Sequence, residues 1–89
     1  MKKVKIGPTL ACADLMNVER DIKILDSIGV DTYHIDIMDG NYVPNYCHSW
    51  DFVKSLKEIT STYIDIHLMT ENVDRDINTA ISLGVWGIA

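Results

Sequence analysis

The sequence YHIDIMDG, from Tyr33 to Gly40, has the aliphatic content of a buried β-strand, yet it carries a histidine and an aspartate at its centre. Successive residues of a strand point to opposite faces, so His34, Asp36 and Met38 share one face and the two isoleucines share the other. In a parallel sheet both faces are covered, and buried polar groups without partners are costly. The strand therefore predicts an aliphatic face beneath helices and a polar face directed into a barrel or across the top of a sheet.

A second segment, YIDIHLM at Tyr63–Met69, echoes the first. When the two are aligned on their methionines, Asp65 falls beside His34, and His67 falls beside Asp36. Two imidazoles and a carboxylate then converge near the C-terminal ends of neighbouring strands. Such a group can bind one divalent ion, without selecting among Zn²⁺, Fe²⁺, Mn²⁺ and Co²⁺, or it can be a His–Asp pair that only satisfies burial. The spacing leaves both open, and Asp65, one step deeper, is expected to be a partner of a ligand or a lower-layer polar residue.

Segments with apolar residues at helical spacing separate the strands. Side chains that cap helices mark the predicted starts, and glycines mark the predicted ends. The helices are expected to follow Asn17, Ser49 and Asn72, with the first and third stopped by Gly29 and Gly84. Apolar runs predict two further strands, at Val4–Ala11 and Val85–Ala89. The order β-α-β-α-β-α-β predicts an α/β fold in which parallel strands alternate with helices.

Composition and charge restrict the class of protein. The chain has 89 residues, of which 47% are hydrophobic and 24% charged, as in one small globular domain at most. A formal net charge of −5 without a basic run argues against a nucleic-acid partner. No apolar run approaches the roughly 18 residues of a membrane span, so no membrane partner is expected. Cys12 and Cys47 are far apart in the sequence, which favours free thiols and a cytoplasmic location.

Three motifs make the chain resemble the N-terminal part of the ribulose-phosphate 3-epimerase family. They are GPTLACAD at Gly7–Asp14, HIDIMDGNYVPN at His34–Asn45 and DIHLMTEN at Asp65–Asn72. The family fold is a (β/α)₈ TIM barrel, typically of about 250 residues, with its active site at the C-terminal ends of the strands. The resemblance implies that residues 1–89 form a single partial barrel domain of about three and a half βα units, truncated from a longer enzyme.

The resemblance also implies which residues form the site. His34, Asp36 and His67 would bind one divalent metal ion, and Asp36 would be one of two acid/base carboxylates. The implied substrate contacts are Thr9, His34, Met38, His67 and Met69. Thr9 stands where the family usually has a serine, and it keeps the hydroxyl.

The implied reaction is the conversion of D-ribulose 5-phosphate to D-xylulose 5-phosphate, a step of the pentose phosphate pathway. One carboxylate removes the C3 proton from one face, a second returns a proton to the other face, and a metal ion stabilises the enediolate. In the family the second carboxylate comes from a later strand, and so do the loops that hold the substrate phosphate. We therefore expect the 89-residue chain to be inactive alone, and to fold as a homo-oligomer or with a missing half, because a partial barrel exposes strand edges.

Three alternatives accompany this interpretation. The D-allulose 6-phosphate 3-epimerase branch shares the metal site, and Cys12 leans that way because the ribulose branch more often has serine there. A decarboxylase or aldolase of similar fold would need a lysine at a strand end, where this sequence offers none. A non-catalytic half-barrel that serves as an assembly module would form an oligomer whose melting temperature does not respond to metal or chelator.

Residues near these motifs carry expectations of their own. Asp39 is expected to brace the following loop through backbone N–H groups. His48, in a loop before a helix, is expected to face solvent. The aromatic residues expected to serve packing within strands or between helices and strands are Tyr33, Tyr63, Trp50 and Trp86.

Overall fold

The computed structural model describes residues 5–10, 16–41 and 48–89. Within these ranges helices and strands alternate. In chain order they are α1 (Val18–Ile28), β1 (Thr32–Met38), α2 (Trp50–Ile59), β2 (Tyr63–Met69), α3 (Val73–Ser82) and β3 (Gly87–Ile88). The predicted alternation is confirmed, although β3 is shorter than the strand expected at Val85–Ala89. Of the helices in these ranges, none has both the length and the apolar character that crossing a membrane requires.

The three strands form one parallel sheet in the order β1-β2-β3. β1 and β2 pair over their whole length, with His34 opposite Asp65 and Asp36 opposite His67. This register is the one predicted by aligning the two methionines. β3 joins the far side of β2, with Gly87 opposite Asp65.

An extended N-terminal segment lies beside the free edge of β1. The carbonyl oxygen of Pro8 accepts a hydrogen bond from the amide of His34 at 2.9 Å, and Thr9 forms a parallel bridge with His34. Paired residues of parallel strands share a face, so Thr9 belongs to the polar face of the sheet. The described part of the strand predicted at 4–11 therefore lies in the expected place, as an isolated bridge; positions 4 and 11 are outside the described residues.

The hydrophobic core lies between the helices and the aliphatic face of the sheet. Its buried residues are Leu10, Ile22, Tyr33, Ile35, Ile37, Val53, Leu56, Ile64 and Ile66. Burial of each large aliphatic side chain contributes about 1.5–3 kcal/mol. A slip of β1 by one residue would replace its isoleucines in this core with His34 and Asp36, so the apolar pattern holds the register. The polar face is thereby directed away from the helices.

Local sequence signals account for most helix ends. The Ser49 hydroxyl accepts the Phe52 amide at 3.1 Å, and the Asn72 side chain accepts the Arg75 amide at 3.2 Å, which confirms both predicted caps. Gly29 ends α1 with a positive φ of 88°. Asn17 precedes α1 as predicted, but its side chain makes no capping hydrogen bond.

A polar clasp joins the end of α1 to the start of β1 and to the turn before β2. The Asp26 carboxylate accepts hydrogen bonds from the Tyr33 hydroxyl at 2.7 Å, from the Thr60 hydroxyl at 2.7 Å and from the Thr62 hydroxyl at 2.9 Å. Burial raises the pKa of Asp26, but these three donors outweigh it, and the pKa lies below its usual value. Tyr33 is fully buried, which confirms its expected packing role.

Two of the aromatic expectations are wrong. Tyr63 and Trp86 remain 61% and 60% exposed, and their rings stack with centroids 5.9 Å apart. Tyr63 belongs to the polar face of β2, so it points away from the helices, and Trp86 just before β3 covers it instead of entering the core. Trp50 is partly buried against the core as expected, and its indole N–H donates to Asp76 at 3.3 Å.

Candidate metal centre

Side chains from two adjacent strands meet on the polar face of the sheet. His34 and Asp36 project from β1 and His67 projects from β2, because the register sets Asp36 directly opposite His67. Asp36 Oδ1 lies 3.1 Å from His34 Nε2 and 3.3 Å from His67 Nδ1. One ligand atom from each residue lies within 4.8 Å of the others. The structure thus brings the three residues predicted from the sequence around one small volume.

The geometry of this group fits a divalent ion. Two nitrogen or oxygen ligands at about 2.1 Å from one ion, at tetrahedral or octahedral angles, are about 3.0–3.4 Å apart. Both distances to Asp36 Oδ1, 3.1 and 3.3 Å, fall in that range. Two imidazoles and one carboxylate suit Zn²⁺, Fe²⁺, Mn²⁺ and Co²⁺ alike. The three residues therefore can hold such an ion, since one ligand atom of each lies within 4.8 Å of the other two.

A fourth polar side chain lies on the opposite side of His34. Asp65 Oδ2 is 3.2 Å from His34 Nδ1, whereas His34 Nε2 faces Asp36. Burial lowers the pKa of His34, but the hydrogen bond to Asp65 and the charge of Asp36 outweigh burial and raise the pKa above its usual value. An imidazole between two carboxylates favours a positive charge nearby, either a proton or a metal ion. Asp65 is therefore a neighbour of His34 and lies outside the group of three ligand atoms.

Met38 and Met69 stand at the C-terminal ends of β1 and β2, opposite each other and partly buried. They lie on the same face as the three polar residues, one strand step beyond Asp36 and His67. Thr9 shares this face through its bridge to His34. The five predicted substrate-contact residues thus share one surface, and their contacts with a substrate stay predictions.

The loop after β1 is braced as predicted. Asp39 accepts the Asn41 amide at 2.9 Å through one carboxylate oxygen and the Glu71 amide at 2.8 Å through the other. These bonds connect the segment after β1 with the segment after β2. The carboxylate therefore holds two loops at the C-terminal edge of the sheet, next to the polar face.

The expectation that His48 faces solvent is wrong. Only 8% of the residue is exposed, its Nε2–H donates to the Leu10 carbonyl at 2.8 Å, and its ring stacks on Phe52 with centroids 4.2 Å apart. A hydrophobic residue directly before a helix cap often packs against the first turn of the helix. A histidine before the Ser49 cap is not such a residue, so the sequence carried no signal for its burial.

Asp76, a carboxylate on α3 that is only 2% exposed, was not predicted from the sequence. It accepts hydrogen bonds from Trp50 Nε1 and from Arg75 Nε, both at 3.3 Å. Burial raises its pKa, but its hydrogen bonds and the charge of Arg75 outweigh burial and lower it. Asp76 therefore ties α3 to the start of α2. Its position among charged residues on a short amphipathic helix carried no signal of burial.

Parts of two motifs lie outside the described residues. They include Cys12, on which the preference for the allulose branch depends. Cys47, which follows the second motif and on which the expectation of free thiols depends in part, also lies outside the described residues. Both stay predictions from sequence.

Comparison with known proteins agrees with the motifs. The model of the ribulose-phosphate 3 epimerase family matches residues 5–88. A relative from Methanocaldococcus jannaschii, named ribulose-phosphate 3-epimerase, is 39% identical over 75 residues, which are 84% of this chain and 32% of the relative. The Bacillus subtilis protein of the same name is 36% identical, over 83% of this chain and 34% of its own length.

A plant relative adds a comparison over more of the chain. The protein from Oryza sativa named ribulose-phosphate 3-epimerase, cytoplasmic isoform, is 32% identical over 93% of this chain and 36% of its own length. The chain therefore spans about a third of the length of the curated relatives that it matches.

Proposed function

Because the chain belongs to the ribulose-phosphate 3-epimerase family, we propose that it provides the metal centre and one acid/base carboxylate of an enzyme that inverts C3 of a ketose phosphate. The substrate we favour is D-ribulose 5-phosphate, with D-xylulose 5-phosphate as the product. The observation that supports this proposal is the meeting of His34, Asp36 and His67 on the polar face of a parallel sheet.

Each of the three ligands would act through a specific atom. Asp36 Oδ1 faces both His34 Nε2 and His67 Nδ1, and these three atoms would hold the ion. A bound divalent cation supplies Lewis-acid stabilisation of the negative charge that develops on the sugar oxygens as C3 loses its proton. The imidazoles of His34 and His67 would also contact the substrate, since both border the same space.

Asp36 would accept the C3 proton. Its Oδ1 is directed at both imidazoles, so we assign the proton transfer to Oδ2. Its side chain is only 16% exposed, which limits competition from water for this oxygen. Thr9 would contact the substrate through its hydroxyl, and Met38 and Met69 would cover the reacting carbon with apolar, polarisable surface.

The second acid/base carboxylate would come from another part of the barrel. Inversion needs a carboxylate on the opposite face of C3, and the resemblance implies that it stands on a later strand than those of residues 1–89. We therefore propose that these residues are one partial (β/α)₈ barrel domain that binds metal but does not turn over substrate alone. Exposed apolar residues at both sides of the sheet, Ile6, Trp86 and Ile88, support assembly with further strands, from another copy or from the missing half.

Titration with Co²⁺, followed by calorimetry and visible absorption, tests the metal centre. The chain is expected to bind one ion, and Asp36→Asn and His67→Ala are expected to weaken binding at least tenfold, since each removes one of three ligands. Asp51→Asn is the matched control, because Asp51 is an exposed carboxylate on α2. Equal affinity in Asp36→Asn and Asp51→Asn would contradict the proposed site.

The same samples distinguish the alternatives. Added D-ribulose 5-phosphate and Co²⁺ should give no turnover with the chain alone, and clear turnover would show that a second carboxylate from a later strand is not required. Once the chain is combined with the remaining strands of a barrel, its turnover of D-allulose 6-phosphate can be compared with its turnover of D-ribulose 5-phosphate, which distinguishes the two branches. The assembly module without a catalytic role predicts a melting temperature that zinc, cobalt and chelator leave unchanged. The metal centre predicts a melting temperature that rises with metal and falls back with chelator.

A cytoplasmic location is proposed on the sequence evidence for free thiols.

A further inference from the structure

Asp65 makes a direct contact with His34, one of the three proposed metal ligands. It is opposite His34 in the register, and its Oδ2 is 3.2 Å from His34 Nδ1. Both side chains are about one-third exposed, so the contact is not imposed by dense packing around them. The imidazole nitrogen that faces Asp65, Nδ1, is not the one that faces Asp36, which is Nε2.

β3 leaves space for this carboxylate. Gly87 is opposite Asp65 in the register of β2 and β3. A Cβ atom at position 87 would lie 3.2 Å from Asp65 Oδ1 and 3.9 Å from its Cγ. A contact of 3.2 Å is tighter than ordinary carbon–oxygen packing, so any residue other than glycine would press on the carboxylate from the side opposite His34.

We propose that Asp65 is a positioning residue for the metal centre: it accepts the Nδ1 proton of His34 and so directs the Nε2 lone pair toward Asp36 and His67, while Gly87 leaves the room that the carboxylate needs. This role rests on the metal centre proposed above, because it gives His34 Nε2 a function. It extends the centre to a third strand, so that β3 acts on a ligand of β1 through β2.

The chemistry requires an acceptor at this place. An imidazole that binds a metal through Nε2 carries its remaining proton on Nδ1, and a partner for that proton fixes both the tautomer and the ring plane. In the metal-free protein, Asp65 and Asp36 compete for the single proton of neutral His34, at 3.2 and 3.1 Å. Without Asp65 the proton would move to Nε2 and donate to Asp36. The two ligand atoms would then be occupied with each other.

Co²⁺ binding measures the consequence for the centre. Asp65→Ala is expected to weaken Co²⁺ binding about 10- to 100-fold and to alter the visible absorption of the bound ion, the usual effect of losing such a partner. Asp65→Asn keeps the shape and an oxygen acceptor, so its loss should be smaller than that of Asp65→Ala. Asp51→Ala, which removes an exposed carboxylate, should bind as the unsubstituted chain does.

Gly87→Ala separates positioning from a general effect on the fold. It removes no ligand and no charge, yet it should change Co²⁺ affinity by less than Asp65→Ala does, because the carboxylate must shift by a few tenths of an ångström. In the Asp65→Ala background the same substitution should have no further effect, because the carboxylate it displaces is absent. An equal cost of Gly87→Ala in both backgrounds would overturn the link between β3 and His34.

Nitrogen-15 shifts of His34 in the metal-free chain give a readout that does not depend on metal. At pH about 9, Asp65→Ala should shift the population of neutral His34 from the Nδ1–H toward the Nε2–H tautomer. Unchanged shifts together with unchanged Co²⁺ affinity would refute the role of Asp65. If the unsubstituted chain binds no Co²⁺, the proposed metal centre fails, and the tautomer measurement still decides whether Asp65 acts on His34.

Discussion

The polar clasp on Asp26 gives a stability prediction that depends on no ligand. Tyr33→Phe removes one hydroxyl from a side chain that is fully buried, and it leaves the packing of the ring in place. The lost hydrogen bond, at 2.7 Å, has a charged acceptor, and such bonds contribute about 1.5–3 kcal/mol. Thr62 also donates to the same oxygen, Oδ1, so we expect the lower end, about 1.5 kcal/mol.

Urea denaturation followed by circular dichroism measures this loss as a change in the free energy of unfolding. About 1.5 kcal/mol corresponds to roughly a tenfold change in the folding equilibrium. Tyr63→Phe is the matched control, since Tyr63 is 61% exposed, and it should change stability by less than about 0.5 kcal/mol. Asp26→Ala should cost about 3 kcal/mol, because it leaves the buried Tyr33 hydroxyl without its charged partner.

The pH dependence of the loss follows from the sign of the Asp26 shift. The pKa of Asp26 is lowered in the folded chain, so its ionised form is stabilised by folding. This stabilisation is fully present above the unfolded pKa of about 3.9, and it is lost as pH falls through the folded pKa. The cost of Tyr33→Phe should therefore shrink in acid. A cost below about 0.5 kcal/mol at neutral pH, equal to that of Tyr63→Phe, would refute the assigned hydrogen bond.

His48→Ala should destabilise the chain by about 2 kcal/mol in urea denaturation, since it removes a buried hydrogen bond to Leu10 and the ring stack on Phe52, whereas an exposed histidine would cost almost nothing. Asp39→Ala should speed amide hydrogen exchange at Asn41 and Glu71 selectively, and unchanged exchange there would contradict the loop brace. Co²⁺ affinity should fall with decreasing pH, beginning above the ordinary imidazole value of about 6.5, because the raised pKa of His34 makes its proton a stronger competitor.

Much of the fold was predictable because its signals are local. Period-two alternation in the two strands, together with their aligned methionines, predicted the observed register residue by residue. The caps at Ser49 and Asn72 and the left-handed Gly29 follow from side chains and φ preferences within one helical turn. These features need no knowledge of distant residues.

The errors concern residues whose surroundings come from elsewhere in the chain. His48 is buried because Leu10, 38 residues away, offers a carbonyl oxygen and because Phe52 presents its ring. Trp86 is exposed because its neighbour Tyr63 lies on the polar face of the sheet. Asp76 is buried because Trp50, 26 residues away, covers it. Residue type indicates whether a side chain prefers water or burial, but it does not indicate which distant part of the chain will pack against it.

The helical segment between the two strands predicted their parallel pairing. Their alternating pattern predicted the face on which two histidines and an aspartate stand, because strand geometry converts spacing directly into direction. Only the tertiary structure decided which nitrogen of His34 faces Asp36, that Asp65 lies against the other nitrogen, and that Gly87 leaves room for this carboxylate. Those relations depend on distances of a few ångströms between side chains on three strands. Such distances are set by the twist and packing of the whole sheet.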